Sequence, residues 1–127
     1  MNKRVTGAEQ EKKAAFYLEE NGFRVLESNF YCRQGEIDII GIHQGCLVFV
    51  EVKYRKDLRA GYPEEAVDLK KQVKICRASD YYRMKHSEQG ERQVRYDVVA
   101  ICGDEVKWYQ NAFSYVCGSG NRERYSW

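Results

Sequence analysis

The segment 35–55, GEIDIIGIHQGCLVFVEVKYR, decides the fold of this chain. Two runs rich in Ile, Val and Phe, from Glu36 to Ile42 and from Leu47 to Lys53, are separated by the short segment 43–46 (HQGC). Apolar runs of this length around a short connection that contains glycine are typical of a β-hairpin. The segment therefore predicts two antiparallel strands joined by a tight turn.

The register of this hairpin brings two carboxylates together. An even-length turn centred on Gln44-Gly45 places Asp38 opposite Glu51 and Glu36 opposite Lys53, because facing residues of an antiparallel pair are equidistant from the turn. Both pairs point to the side of the sheet that also carries two large apolar residues, Ile40 and Phe49. The other side is wholly apolar: Ile37, Ile39, Gly41, Val48, Val50 and Val52. A loop of three residues would shift this register by one residue, and Asp38 would then face a valine.

Two facing carboxylates in strands built for a core point to a bound cation. Their Cβ atoms would lie about 5 Å apart, and their repulsion would destabilise the fold unless a cation or a proton lay between them. A hard, oxygen-ligated ion such as Mg²⁺ or Mn²⁺ fits this environment. The alternative is that Asp38 and Glu51 are an ordinary pair of charges at the end of a sheet. Lys53 is likewise either an ion-pair partner of Glu36 or a catalytic lysine.

A helix precedes the hairpin and carries a third acid. Thr6 is a candidate N-cap, an Asn-Gly C-cap signal follows, and the apolar spacing between them predicts a helix over residues 6–21. Glu11 falls within the apolar stripe of this helix, three and four residues before Ala14 and Ala15, so no lysine on its own face neutralises it. Glu11 is therefore either a solvated boundary residue or an acid of the site.

The remaining segments predict a second helix and further strands. Pro63, followed by two glutamates, begins a predicted helix over residues 63–85. Its apolar stripe is Ala66, Leu69, Val73 and Cys76, flanked by Lys70, Lys71, Lys74 and Arg77. Strands are predicted over 23–30, 94–101 and 105–109, with a short closing element over 111–117. The order of these elements predicts an α/β fold with a central mixed β-sheet of about five strands flanked by helices.

The last two strands offer a comparison within the chain. Their turn at Gly103-Asp104 places Asp97 opposite Gln110 and Glu105 opposite Cys102. No acidic pair arises in this second hairpin. The motif Glu105-x-Lys107 is therefore interpreted as an exposed strand end, although it has the same pattern as Glu51-x-Lys53.

Composition excludes several classes of protein. The 127 residues suit a single domain, predicted to span 1–117 and to be followed by a disordered tail over 118–127. Lys and Arg total 21 against 19 Asp and Glu, and the net charge of +2 excludes a strongly basic nucleic-acid coat, so such a partner needs a local patch. Five cysteines lack zinc-type spacing and no apolar run reaches membrane-span length. A cytoplasmic protein without a membrane partner is expected.

Several motifs of this chain together resemble the YraN family. The resemblance covers roughly residues 5–115 and is carried by GxxxExxAxxYL over 7–18, GF at 22–23, Asn29, GEID at 35–38, VFVEVKYR at 48–55, Lys71, DVVA at 97–100 and NAF at 111–113. That family is similar to the PD-(D/E)XK nuclease superfamily and to archaeal Holliday junction resolvases, which implies a restriction-endonuclease-like fold. Ile37 stands before Asp38 where the superfamily's name has a proline.

The resemblance implies roles for individual residues. Asp38, Glu51 and the Val52 carbonyl would be ligands of Mg²⁺ or Mn²⁺, Lys53 would be the catalytic lysine, and Glu11 would be a helix acid near the metal. Phosphate contacts are expected from four further residues: Arg55, Lys71, Gln72 and Lys74.

The implied function is metal-dependent hydrolysis of DNA phosphodiester bonds by an endonuclease. Branched DNA is a candidate substrate, and cutting of a junction would favour a homodimer. The first alternative is a non-catalytic nucleic-acid-binding module of the same fold. The second is a protein-interaction scaffold that binds neither metal nor nucleic acid.

Overall fold

The computed structural model describes residues 3–55 and 67–116 of the chain, with side chains from residue 7 onward. The elements follow one another as α1 (Lys3–Glu20), β1 (Arg24–Cys32), β2 (Gly35–His43), β3 (Cys46–Tyr54), α2 (Leu69–Lys85), a short 3₁₀ helix (Ser87–Gln89), β4 (Val94–Cys102) and β5 (Glu105–Phe113). The predicted domain limit at residue 117 and the predicted tail over 118–127 lie outside the described residues. No helix in the described ranges is both long and apolar enough to cross a membrane.

The five strands of the described residues form one sheet in the order β1-β2-β3-β4-β5. β3 and β4 are parallel, and the other neighbouring pairs are antiparallel. The parallel pair requires a crossover connection, and α2 lies in that connection. The predicted α/β fold, a mixed five-stranded sheet flanked by helices, is confirmed, and it agrees with the architecture that the family resemblance implies.

Each face of the sheet packs against one helix. Ala14 and Leu18 of α1 belong to a buried cluster with Ile39, Val48 and Val50 of the sheet. α2 belongs to a second buried cluster, together with the other sheet face: Phe30, Ile37, Ile40, Phe49, Ile75, Cys76, Tyr82, Tyr96 and Val98. Both sheet faces are therefore covered by apolar side chains. A charged side chain in a central strand needs a hydrogen-bond or ion-pair partner nearby, or a position where the sheet ends.

The β2–β3 hairpin has the even-length turn that the sequence predicts. Gln44 and Gly45 have φ values of +50° and +79°, the pattern of a two-residue turn whose twist matches the flanking strands. The ladder then runs from His43 opposite Cys46 to Ile39 opposite Val50.

The alternation of side chains breaks at Asp38. Ile37 was predicted to share a face with Ile39, but it packs in the α2 cluster with Phe30 and Ile40. Opposite this point in β1 lies Asn29, whose φ of +56° is left-handed. A residue in that conformation turns the strand locally, which explains why strict alternation fails there.

The second helix begins later than predicted. α2 begins at Leu69, where the Asp68 side chain accepts a hydrogen bond of 2.8 Å from the Lys71 N–H and so provides the N-cap. Pro63 and Ala66 lie outside the described residues. Leu69 is 65% exposed rather than part of the buried stripe, because the helix turns a different face to the sheet: Gln72, Ile75, Cys76, Ala78, Ser79 and Tyr82.

The other elements differ from the prediction mainly at their ends. α1 begins at Lys3 rather than at Thr6, and β1 continues to Cys32. β5 runs without interruption to Phe113, so the separately predicted closing element over 111–117 is wrong within the described part of the chain. Backbone pairing with β4 extends β5 through this region.

Candidate functional site

Asp38 and Glu51 meet where the β2–β3 ladder ends. Beyond the last ladder pair, the Val52 N–H donates a hydrogen bond of 2.8 Å to Asp38 Oδ2. The Asp38 carboxylate thus provides an acceptor for a β3 backbone donor, which holds the side chain against β3. Glu51 is only 7% exposed, and its carboxyl group hydrogen-bonds to that of Asp38. The hairpin therefore brings together the two acids that its register pairs.

The electrostatic environment of this pair favours a proton between the two carboxyl groups. Burial, followed by the charge of Asp38, raises the pKa of Glu51 to about 8, against the opposing attraction of Lys71 and Lys53. Burial also raises the pKa of Asp38, although hydrogen bonds from Val52 and Glu51 oppose this. Two negative charges in this position need a positive partner from outside the pair.

Glu11 of α1 is the third acid of the cluster. It is half-buried, and burial followed by the charge of Asp38 raises its pKa, while a hydrogen bond from the Asn29 side chain lowers it. The charge of Glu36 acts on Glu11 in the same direction as that of Asp38. Glu11 lies on the same helix face as the apolar residues that pack on the sheet, so it lies near the acids of the hairpin. We define Glu11, Asp38 and Glu51 as the acidic cluster.

Two lysines stand next to the acidic cluster. Lys71 Nζ lies 3.9 Å from Glu51 Oε2, and the Lys71 side chain remains 37% exposed. Lys53 is exposed and lowers the pKa of Glu51 by its charge. Of the two interpretations of Lys53, the ion pair with Glu36 does not form, although both residues lie in the described part of the chain.

The remaining predicted contact residues occupy different environments. Lys74 is exposed beside Gly35, at the turn between β1 and β2. Arg55 is half-buried, and its backbone N–H donates to the Ile101 carbonyl at 2.8 Å. Gln72 is buried, and its side-chain amide donates to the Val67 carbonyl at 2.9 Å. The Gln72 amide thus binds the backbone just before α2 begins. We therefore do not assign it a phosphate contact.

The donor set of the acidic cluster fits a hard divalent cation. Asp38 and Glu51 offer carboxylate oxygens, and the hydrogen bond from Val52 brings the β3 backbone beside them. Among the described residues, no group of three or more His, Cys, Asp or Glu side chains forms a ready-made metal cage. Mg²⁺ commonly binds through one or two carboxylates and keeps several waters, so two carboxylates and a backbone carbonyl are a sufficient protein contribution.

A second buried carboxylate, Asp97, has a set of hydrogen-bond partners that the sequence did not predict. It is fully buried, and Arg95 donates to its two oxygens at 3.0 and 2.8 Å. Trp108 Nε1 donates to it at 2.9 Å and the Asn111 N–H at 2.8 Å. The prediction that Asp97 faces Gln110 is wrong, because the β4–β5 register shifts between Tyr96 and Val98. An aspartate inside the apolar run 94–102 is the sequence signal that could have drawn attention to it.

A cavity among the described residues lies away from the acidic cluster. It has a volume of about 840 Å³ and is lined by Gln34, residues of α2 and the loop that follows α2, including Arg77, Tyr81 and Met84. The acidic cluster instead lies where the β2–β3 ladder ends.

Comparison with known proteins places these residues within one sequence family. The model of the uncharacterised protein family UPF0102 matches residues 10–101. A UPF0102 protein of Lachnoclostridium phytofermentans is 43% identical over 113 residues, covering 89% of this chain and 96% of that protein. A UPF0102 protein of Persephonella marina is 42% identical over 109 residues, covering 86% and 93%.

A solved structure of a repair endonuclease from Pyrococcus abyssi is also similar to this chain. The TM-score is 0.45 at 25% sequence identity, and the similarity covers 72% of this chain. The chain spans only 38% of the length of that endonuclease.

Proposed function

The chain belongs to the UPF0102 family, and from the acidic cluster beside Lys53 and Lys71 we propose that it is a metal-dependent nuclease that hydrolyses DNA phosphodiester bonds. The observation that carries this proposal is the meeting of Asp38 and Glu51, both with raised pKa values, where the β2–β3 ladder ends. Such a pair favours binding of a divalent cation, which in turn attracts phosphate.

Asp38, Glu51 and the Val52 carbonyl are the proposed metal ligands. A bound Mg²⁺ or Mn²⁺ would supply Lewis acidity at a phosphate oxygen and lower the pKa of bound water. The Val52 N–H orients the Asp38 carboxylate by its hydrogen bond of 2.8 Å. Glu11 adds negative charge on the α1 side of the cluster, which would strengthen cation binding.

Lysines supply the positive charge of the proposed mechanism. Lys53 is exposed at the end of β3, where its ammonium group can orient the attacking water or neutralise charge that develops on the phosphate. Lys71, 3.9 Å from Glu51, can leave that carboxylate for a phosphate once a cation takes its place. Lys74 and Arg55 are the proposed outer phosphate contacts, which position the strand without reading its sequence.

The decisive experiment measures cleavage of labelled DNA oligonucleotides by the full chain with Mg²⁺, with Mn²⁺ and with EDTA. We expect cleavage only with metal, and a loss of at least about 100-fold in Asp38→Ala and Glu51→Ala, because each variant removes a ligand. Duplex, single-stranded and branched DNA are compared in the same assay. Glu105→Ala is a matched control, since Glu105 belongs to another Glu-x-Lys motif and is exposed. Cleavage in EDTA, or full activity in both ligand variants, would refute the proposal.

A non-catalytic nucleic-acid-binding module is the second candidate, and the Lys71–Glu51 ion pair favours it. An ammonium group already beside the carboxylate could replace a metal ion permanently. Isothermal titration calorimetry separates the two functions: DNA binding that weakens with salt, without Mn²⁺ binding, indicates the module. The absence of both kinds of binding at low salt would favour a protein-interaction scaffold.

A further inference from the structure

Two exposed tyrosines lie at the end of the sheet nearest the acidic cluster. Tyr31 of β1 is 70% exposed and Tyr54 of β3 is 58% exposed. Exposed aromatic side chains are uninformative when they are scattered over a surface. These two, however, lie at the same end of the sheet as Asp38, Glu51 and Lys53.

Tyr31 lies opposite an acid of β2. It is the register partner of Glu36 across β1 and β2, and the charge of Glu36, followed by hydrogen bonding to its carboxylate, raises the pKa of the Tyr31 hydroxyl. The charges of Glu11 and Asp38 add to that of Glu36 in raising the pKa of Tyr31. The Tyr31 side chain therefore lies close enough to the acids to feel their charge, and most of its surface is open to solvent.

Tyr54 lies at the same end of the sheet. The hydrogen bond from Val52 to Asp38 ties the last residues of β3 to the first residues of β2. The start of β2 also pairs with the end of β1, where Cys32 lies opposite Gly35. The ends of β1 and β3 therefore lie on the two sides of the start of β2, which carries Asp38, and Tyr54 directly follows Lys53.

We propose that the site takes a DNA strand whose bases are unpaired, and that Tyr31 and Tyr54 are specificity-determining residues that stack on bases next to the phosphate held at the acidic cluster. This inference rests on the proposed function and names its substrate class. Aromatic rings bind single strands because every base has a face available for stacking. A duplex hides those faces between its own base pairs, so two exposed rings beside the phosphate site add affinity only for unpaired DNA.

The test is fluorescence anisotropy of the full chain with three DNA probes of equal length in Mg²⁺: a single strand, its duplex, and a single strand with abasic positions. We expect the single strand to bind about tenfold more tightly than the duplex or the abasic strand, as one stacked base contributes about 1–3 kcal/mol. Tyr31→Ala should lose most of that preference and leave duplex affinity unchanged. Tyr31→Phe, which keeps the ring but loses the bond to Glu36, should retain it within about twofold.

Met84→Ala is the matched control, because Met84 is also 70% exposed but belongs to α2 and lines the large cavity. It should leave all three affinities unchanged. Equal binding of single strand and duplex, or equal losses on both probes in Tyr31→Ala, would overturn the inference.

The outcomes separate this inference from the proposed function. Metal-dependent cleavage without a single-strand preference refutes the stacking role alone. A Tyr31-dependent preference without cleavage refutes the nuclease and leaves a module that binds unpaired DNA. The absence of DNA binding refutes both.

Discussion

Asp38 and Asp97 lie in two different hairpins, and each is held by a hydrogen bond from a backbone N–H. Each accepts a hydrogen bond of 2.8 Å from the backbone N–H of the residue fourteen positions later, Val52 for Asp38 and Asn111 for Asp97. Each also accompanies an asparagine with left-handed backbone, Asn29 with a φ of +56° and Asn111 with a φ of +55°. In both places the regular backbone pairing of the strands is interrupted, and the carboxylate accepts a hydrogen bond from a backbone N–H there.

The two aspartates differ in their other partners. Asp97 receives both guanidinium bonds of Arg95 and the indole N–H of Trp108, so its charge is compensated inside the fold. Asp38 instead lies against Glu51 and Glu11. The comparison teaches that a buried carboxylate with its own cation is a structural element, whereas one that faces other carboxylates needs a proton or a cation from outside the pair.

The largest expected effect is on the stability of the Asp97 hairpin. Asp97→Ala should lower the free energy of unfolding by about 3–5 kcal/mol, because the guanidinium of Arg95 would remain inside the fold without its carboxylate. The Arg95 side chain is only 12% exposed. Asp38→Asn should leave stability unchanged or raise it in metal-free protein at pH 8, because it removes a repulsive charge. Urea denaturation measures both variants, and equal losses would remove the distinction between the two aspartates.

The next effect is a pH dependence of stability that comes from the acidic cluster. Glu51 has a pKa of about 8 in the fold against an ordinary value of 4.5, so between these values the folded state binds more protons than the unfolded state. The contribution of Glu51 to the free energy of unfolding of metal-free protein should therefore be most favourable below about pH 4.5. The free energy of unfolding should then fall by a few kcal/mol as the pH rises to about 8. Thermal unfolding from pH 5 to pH 9 measures this. Glu51→Gln should flatten the curve, and an equally steep curve in that variant would contradict the assignment.

Metal binding should reverse that loss. At pH 8, Mn²⁺ at about 100 times its dissociation constant should stabilise the protein by about 2.7 kcal/mol. Asp38→Asn should lose this stabilisation. Asp104→Asn, which changes a fully exposed carboxylate of the second hairpin turn, should keep it. Differential scanning calorimetry with and without Mn²⁺ gives the answer, and stabilisation that persists in Asp38→Asn would place the metal elsewhere.

The smallest effects concern the two asparagines. Asn29→Gly and Asn111→Gly should each change stability by no more than about 1 kcal/mol, because glycine adopts the left-handed backbone without strain. Only Asn29→Gly removes a side-chain hydrogen bond to the acidic cluster, so only this variant should alter Mn²⁺ affinity. Calorimetric titration compares them, and equal affinities in both variants would show that Asn29 serves only the backbone.

The sequence predicted the central hairpin well because two local signals agree there. The apolar runs define the strands, and Gln44-Gly45 defines the turn, so the register and the meeting of Asp38 with Glu51 follow. The start of α2 was predicted six residues too early, since Pro63 and two glutamates resemble a helix start while the actual cap is Asp68. Competing cap signals cannot be ranked without the tertiary contacts that stabilise one of them.

The sequence by itself determined the strand order within each hairpin and the positions of the acids along the strands, because both depend on neighbours close in the chain. Only the tertiary structure decided which of Asp38 and Asp97 has no ion pair within the described residues. Arg95 reaches Asp97 on its own strand, yet no lysine close in sequence compensates Asp38, and Glu11 joins it from a separate helix. Charge compensation depends on distance in space and on burial, and a chain of 127 residues with a net charge of +2 does not reveal where its charges are left unpaired.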